Sequence, residues 1–180
     1  MTPQQTQFLD AFPIWLKRLP EDVRGLAAAL TEVGPDSPAA GTLAGALNYL
    51  FRSLDLIPDG IEDLGFVDDA FVLRVAVASL PQELKGKSDM LAKLSEESQL
   101  IREFLGEDYS RLEAYVSGVN TVTVRGRSVD AIVAEALVRE EFLTELKSWA
   151  DSFEPPSFAR DVRNLTKLSS FLHTRLSKFG

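Results

Sequence analysis

Apolar residues recur every three or four positions through most of this chain, and only one short stretch, Asn120 to Val124, alternates as a strand does. A stripe of that period is one face of an α-helix and does not fit a pleated sheet, so the spacing confines the fold to helices packed on helices. Proline, glycine and capping residues set their limits. Residues 4–16 read as a first helix with Pro13 as a break, and a second runs from Pro20 to Gly34-Pro35. Ser37-Pro38 opens another through about Phe51, and a strongly apolar one runs from Val67 to Leu80. Ser88-Asp89 caps a helix ending near Gly106, and Asp108–Ser117 reads as a short one. Ser128 starts a long helix to Ser152, with Leu137 facing inward, and Ser157 to Lys178 is the last. A lone strand at 120–124 has no partner for its edges, so that segment is expected to be a linker. The predicted fold is therefore all-α: a compact multi-helix bundle of about seven helices with a helix-break-helix hairpin at its centre.

Size and charge narrow the possibilities further. A chain of 180 residues, 45% hydrophobic and 26% charged, has enough apolar material for a substantial core. Residues 1–85 are expected to hold the hairpin and residues 86–180 to form a helical extension packed on them as one body. The net charge of −8 repels phosphate backbones, so nucleic acid is not an expected partner. Most of that charge lies early, with 12 acids against 6 bases in residues 1–85 and 15 against 13 afterwards. The absence of cysteine removes thiolate nucleophiles, disulfides and cysteine-based metal centres. Met1 to Asp10 has neither the basic nor the apolar region of a secretory signal. The most apolar run, Ala70–Leu80, is only 11 residues long and contains Arg74, against the roughly 20 residues a spanning helix needs. A cytoplasmic location, with peripheral membrane attachment as the variant, is the expectation.

The densest signal is the break between the third and fourth of these helices, Tyr49-Leu50-Phe51-Arg52-Ser53-Leu54-Asp55-Leu56-Ile57-Pro58-Asp59, followed by Leu64-Gly65-Phe66-Val67-Asp68-Asp69. Over about residues 40–80 it resembles the YkvA-like domain of unknown function, a bacterial helical-hairpin family. Tyr49, Asp55, Leu56, Ile57, Pro58, Asp59, Leu64, Gly65, Asp68 and Asp69 carry the likeness. Arg52-Ser53 stands where that family has Ser-Pro, and Glu62-Asp63 where it has proline and an apolar residue, which makes this copy more hydrophilic. The resemblance implies a helical hairpin and no catalytic residues. Some relatives look membrane-associated, a property these substitutions weaken here.

Asp55, Asp59, Glu62, Asp63, Asp68 and Asp69 gather within 15 positions without one base, so their repulsion must be relieved. Helix capping is one relief: Asp55 accepts amides of a turn starting at Leu56, and Asp68 and Asp69 sit at the positive end of the next helix. Arg52, Arg74 or a more distant arginine would add ion pairs. A hard cation, Mg²⁺ or Ca²⁺, held by Asp55, Asp59, Asp68 and Asp69 is the other. An EF-hand is excluded, since a loop counted from Asp55 puts Ile57 and Phe66 at the third and twelfth positions, which need oxygen ligands.

The remaining features point to no chemistry of their own. His173 is the only histidine, which leaves no material for a histidine metal centre, and no Gly-x-Ser-x-Gly or phosphate-binding glycine loop accompanies it. Arg125 and Arg127 read as loop charges. Residues 157–178 form a basic amphipathic helix suited either to the core or to an anionic membrane surface. The leading expectation is a non-enzymatic helical interaction module that binds a protein partner or a second copy and carries no cofactor. A divalent-metal protein or enzyme and a peripheral membrane protein are the alternatives.

Overall fold

Helices account for all the regular structure in a computed structural model of the protein, which describes residues 1–52 and 55–179. Nine α-helices occur among these residues: α1 Pro3–Glu32, α2 Pro38–Tyr49, α3 Val67–Ala78, α4 Gln82–Lys85, α5 Asp89–Leu105, α6 Asp108–Ser117, α7 Val129–Ala134, α8 Ala136–Ser152 and α9 Val162–Leu176. The bundle is all-α, as the periodicity requires. Ser53 and Leu54, part of the expected break, lie outside the described residues.

Helix α1 is the largest departure from expectation. It runs unbroken through Pro13 and Pro20, where two separate helices were predicted. Each interior proline removes a backbone hydrogen bond and costs about 3 kcal/mol. Against that, α1 buries Phe8, Leu9, Phe12, Trp15, Leu16, Leu19, Val23, Leu26 and Leu30, each contributing about 1.5–3 kcal/mol by leaving water. Packing outweighs local propensity. Phe12 meets Phe71 of α3 and Phe104 of α5 with ring centroids 5.1 and 5.2 Å apart, so α1 forms the axis around which both stand.

A short helix between α3 and α5 was not anticipated, and the helix expected over 128–152 is two. Ser128 caps α7 as predicted, accepting the Ala131 amide, but the chain leaves helical geometry at Glu135. The freed carbonyls of Ile132 and Val133 are taken by the Arg139 guanidinium at 3.2 and 2.8 Å. That break turns Leu137 outward, where it is 75% exposed instead of facing the core. Before α7, residues 119–121 form a single 3-10 turn, and Val124 pairs only with Arg127 across a tight turn. Helix α9 starts five residues later than expected, because Asp161 accepts the Arg163 amide as its cap, while Pro155 and Pro156 hold the preceding segment out of helix.

One apolar core joins residues from either side of position 85, from Phe8 to Leu176. Arg74, fully buried, sits within it. Its guanidinium bonds Asp22 of α1 at 3.1 Å and Glu97 of α5 at 2.9 Å and covers the Trp15 ring at 4.2 Å. Arg18 closes the group, reaching both Asp22 and Glu97. Helix α9 spends its apolar stripe here, with Leu165, Leu168, Leu172 and Leu176 all buried. As folded, it turns no leucine row toward a lipid surface. Among the described residues no helix is long and apolar enough to cross a membrane.

A buried carboxylate cluster in the hairpin

The hairpin is α2, the loop that follows and the first turn of α3. Pro58, Asp59 and Gly60 form a turn closed by the Ile61 amide on the Pro58 carbonyl at 3.1 Å. The chain then coils through Leu64 and Gly65, whose amides both return to the Ile61 carbonyl. Asp63 and Phe66 adopt left-handed conformations with φ of 63° and 65°, which cost non-glycine residues about 1–3 kcal/mol each. Outside contacts hold them there: Asn164 of α9 donates to the Asp63 carbonyl at 3.1 Å, Lys167 to the Glu62 carbonyl at 3.2 Å, and the Phe66 ring packs on Phe153 at 5.1 Å.

Gly65 sits where no side chain fits, because a methyl group there would overlap the Asp59 carbonyl oxygen. Gly65→Ala is therefore expected to destabilise the protein by about 1–3 kcal/mol through forced displacement of the loop. A urea titration checks this, and an unchanged midpoint would show that the loop yields freely.

This coiling delivers Asp55 against the start of α3. Carboxylate oxygens of Asp55, Asp68 and Asp69 lie within 4.8 Å of one another, and all three residues are buried. Asp68 is 0% and Asp69 1% exposed. Asp59, the fourth acid predicted for a metal site, stays exposed beside Asp55 and does not join the trio. Glu62 is exposed as well, and Asp63 is half-buried.

The capping expected for these acids is largely absent. Asp68 and Asp69 do lie in the first turn of α3, near its positive end, but the cap position is Phe66 and has no side-chain bond. The Leu56 amide donates to the Tyr49 hydroxyl at 2.8 Å, and the Ile57 amide to Asp68 Oδ2 at 3.0 Å, so neither goes to Asp55. Tyr49 donates in turn to Asp68 Oδ2 at 2.6 Å. Ion pairs do not supply the relief either. Arg74 is committed to Asp22 and Glu97, Arg52 donates to the Tyr115 hydroxyl, and no lysine or arginine among the described residues forms a salt bridge with the trio. Asp68 Oδ1 and both oxygens of Asp69 are buried without any hydrogen-bond partner.

The electrostatic result is a group of acids held back from ionising. Burial first, then the charges of Asp68, Asp59 and Asp55, push Asp69 well above the ordinary carboxylate range. Asp68 is raised by burial against the downward pull of the Tyr49 and Ile57 bonds. Partial loss of water and then the Asp55 charge lift Asp59 to about 6. Asp55 is also raised by burial, and the more distant Arg52 and Arg175 work against that. Anionic carboxylates this deep need a positive charge among them or a proton.

Tyr49 is the residue whose role sequence reasoning missed, having been read as a plain core aromatic. Its signal was its place six residues before Asp55, at the end of a helix packed on α3. His173, by contrast, lies on the surface against Asp108 at 2.7 Å, far from any such cluster in its bonding.

Residues 39–74 match the family model described as Protein of unknown function (DUF1232). The matched segment contains Tyr49, Asp55, Asp59, Gly65, Asp68, Asp69 and Arg74, and it stops short of α4–α9. No curated protein and no solved structure matches the chain.

Proposed function

We propose that this protein binds a hard divalent cation in the hairpin, with Asp55, Asp68 and Asp69 as ligands and Asp59 at the rim. The observation that carries the reading is Asp69: a carboxylate 1% exposed, both oxygens lacking a donor, facing two more buried carboxylates. A scaffold that served only to present a binding surface has no use for such a group, and isolated burial of a charged carboxylate is strongly unfavourable. A cation satisfies all three acids at once. Oxygens on opposite sides of a bound Ca²⁺ or Mg²⁺ stand about 4–5 Å apart, twice the metal–oxygen distance, so the observed separation suits chelation without rebuilding the loop. We read the matched segment as a YkvA-like hairpin whose acids serve this purpose. The interaction-module reading is then secondary, since it leaves Asp69 without a role.

Thermal melts of chelator-treated protein with Mg²⁺, Mn²⁺ or Ca²⁺ added test this. At a hundred times the dissociation constant, binding adds about 2.7 kcal/mol, which raises the midpoint of a protein this size by about 5–10 °C. A midpoint that none of the three ions moves would refute the reading.

A further inference from the structure

We propose that the site selects Mg²⁺ or Mn²⁺ over Ca²⁺, because Tyr49 and the Ile57 amide confine Asp68 to a single ligand oxygen. The inference rests on the cation-site reading above and adds the identity of the ion and the residue that imposes it. Asp68 Oδ2 is occupied twice, by the Tyr49 hydroxyl at 2.6 Å and the Ile57 amide at 3.0 Å. Only Oδ1, buried and without a partner, remains to face a cation. Asp68 is thus a one-oxygen ligand whose orientation is fixed from the side away from the ion.

The same hydroxyl accepts the Leu56 amide, so the strand of loop that carries Asp55 is tied to the carboxylate that carries Oδ1. Asp68 and Asp69 are neighbours on one rigid helical turn. All three acids are therefore fixed on short aspartate side chains with little slack. Ca²⁺ takes six to eight oxygens at about 2.3–2.6 Å and favours flexible loops with two-oxygen carboxylates. Mg²⁺ and Mn²⁺ suit few carboxylates, with water completing six positions at about 2.0–2.1 Å for Mg²⁺. Three aspartates, one restricted to a single oxygen, match the second pattern. Tyr49 is a positioning residue here: it touches the ligand and not the ion.

The experiment uses the full chain. Mn²⁺ affinity is measured by electron paramagnetic resonance, Mg²⁺ and Ca²⁺ affinities by displacement of that Mn²⁺, and water bound to Mn²⁺ by proton relaxation. The expected result is Mn²⁺ binding with exchangeable water on the ion, displacement by Mg²⁺, and Ca²⁺ weaker than Mg²⁺ by at least about tenfold. Tyr49→Phe, which keeps the ring, should lower Mg²⁺ affinity by about 10–100-fold, the usual scale for losing a partner of a metal ligand, and narrow the gap to Ca²⁺. Calcium binding as tightly as Mg²⁺, or a Tyr49→Phe protein that melts as the native one does and keeps its preference, overturns the selectivity while leaving the cation site standing. Failure of all three ions to bind overturns both.

Discussion

Asparagine in place of Asp69 should raise the melting midpoint of the chelator-treated protein and abolish its response to added cation. The two effects have one cause. In the ion-free protein the Asp69 carboxylate has no donor on either oxygen and stands beside Asp55 and Asp68, so burial and like charge both oppose ionisation. An amide of the same shape removes the charge and brings an N–H₂ that bonds a neighbouring carboxylate. Leaving a buried polar group unsatisfied costs about 1–3 kcal/mol, so relief of this size corresponds to a rise of about 3–10 °C. With the charge gone, the cation loses one of three anionic ligands. A purely structural Asp69 predicts the reverse, a lower midpoint and no change in ion response, and that outcome would sink the site.

The opposite sign is expected at Arg74. Arg74→Ala leaves Asp22, a carboxylate buried in α1, without its closest buried partner, uncovers Trp15 and opens a cavity among α1, α3 and α5. Breaking one side of a buried ion pair costs about 3–5 kcal/mol, the largest single loss expected in this protein. Arg18 limits the damage only in part, since its own bonds to Asp22 and Glu97 are already made. The double variant Arg74→Met with Asp22→Asn should recover much of the loss, because neutral, well-packed replacements of a buried pair are often harmless. Denaturant midpoints of single and double variants test this, and a single variant within about 1 kcal/mol of the native protein would show that the pair is idle.

The helical class, most helix limits and the hairpin acids were legible because they rest on local chemistry. Ser37, Ser88 and Ser128 cap where the sequence places them, and Asp108–Ser117 has the predicted bounds. What escaped was set by contacts distant in sequence. Pro13 and Pro20 carry a local break signal that the apolar face of α1 overrides. The break at Glu135 depends on where the Arg139 guanidinium finds its carbonyls. In the site, sequence spacing listed Asp55, Asp59, Asp68 and Asp69 as equals. Only the coil of the loop separates the exposed Asp59 from the buried trio, and only the position of the Tyr49 hydroxyl shows that two loop amides expected for caps go elsewhere. Arg74 was visible as a charge in an apolar helix, but its partners lie 52 and 23 residues away.

The two prolines of α1 also bear on the order in which the chain acquires structure. A segment that forfeits backbone bonds at Pro13 and again at Pro20 is a poor nucleus by itself, since even favourable isolated helices are marginal in water. Its helicity is lent by α3, α5 and α8, which are made later. During synthesis the first thirty residues therefore wait, unhelical and with Phe8, Phe12 and Trp15 exposed, until their partners arrive. The bundle closes around its oldest segment last, and its slow step belongs to residues far apart in the chain.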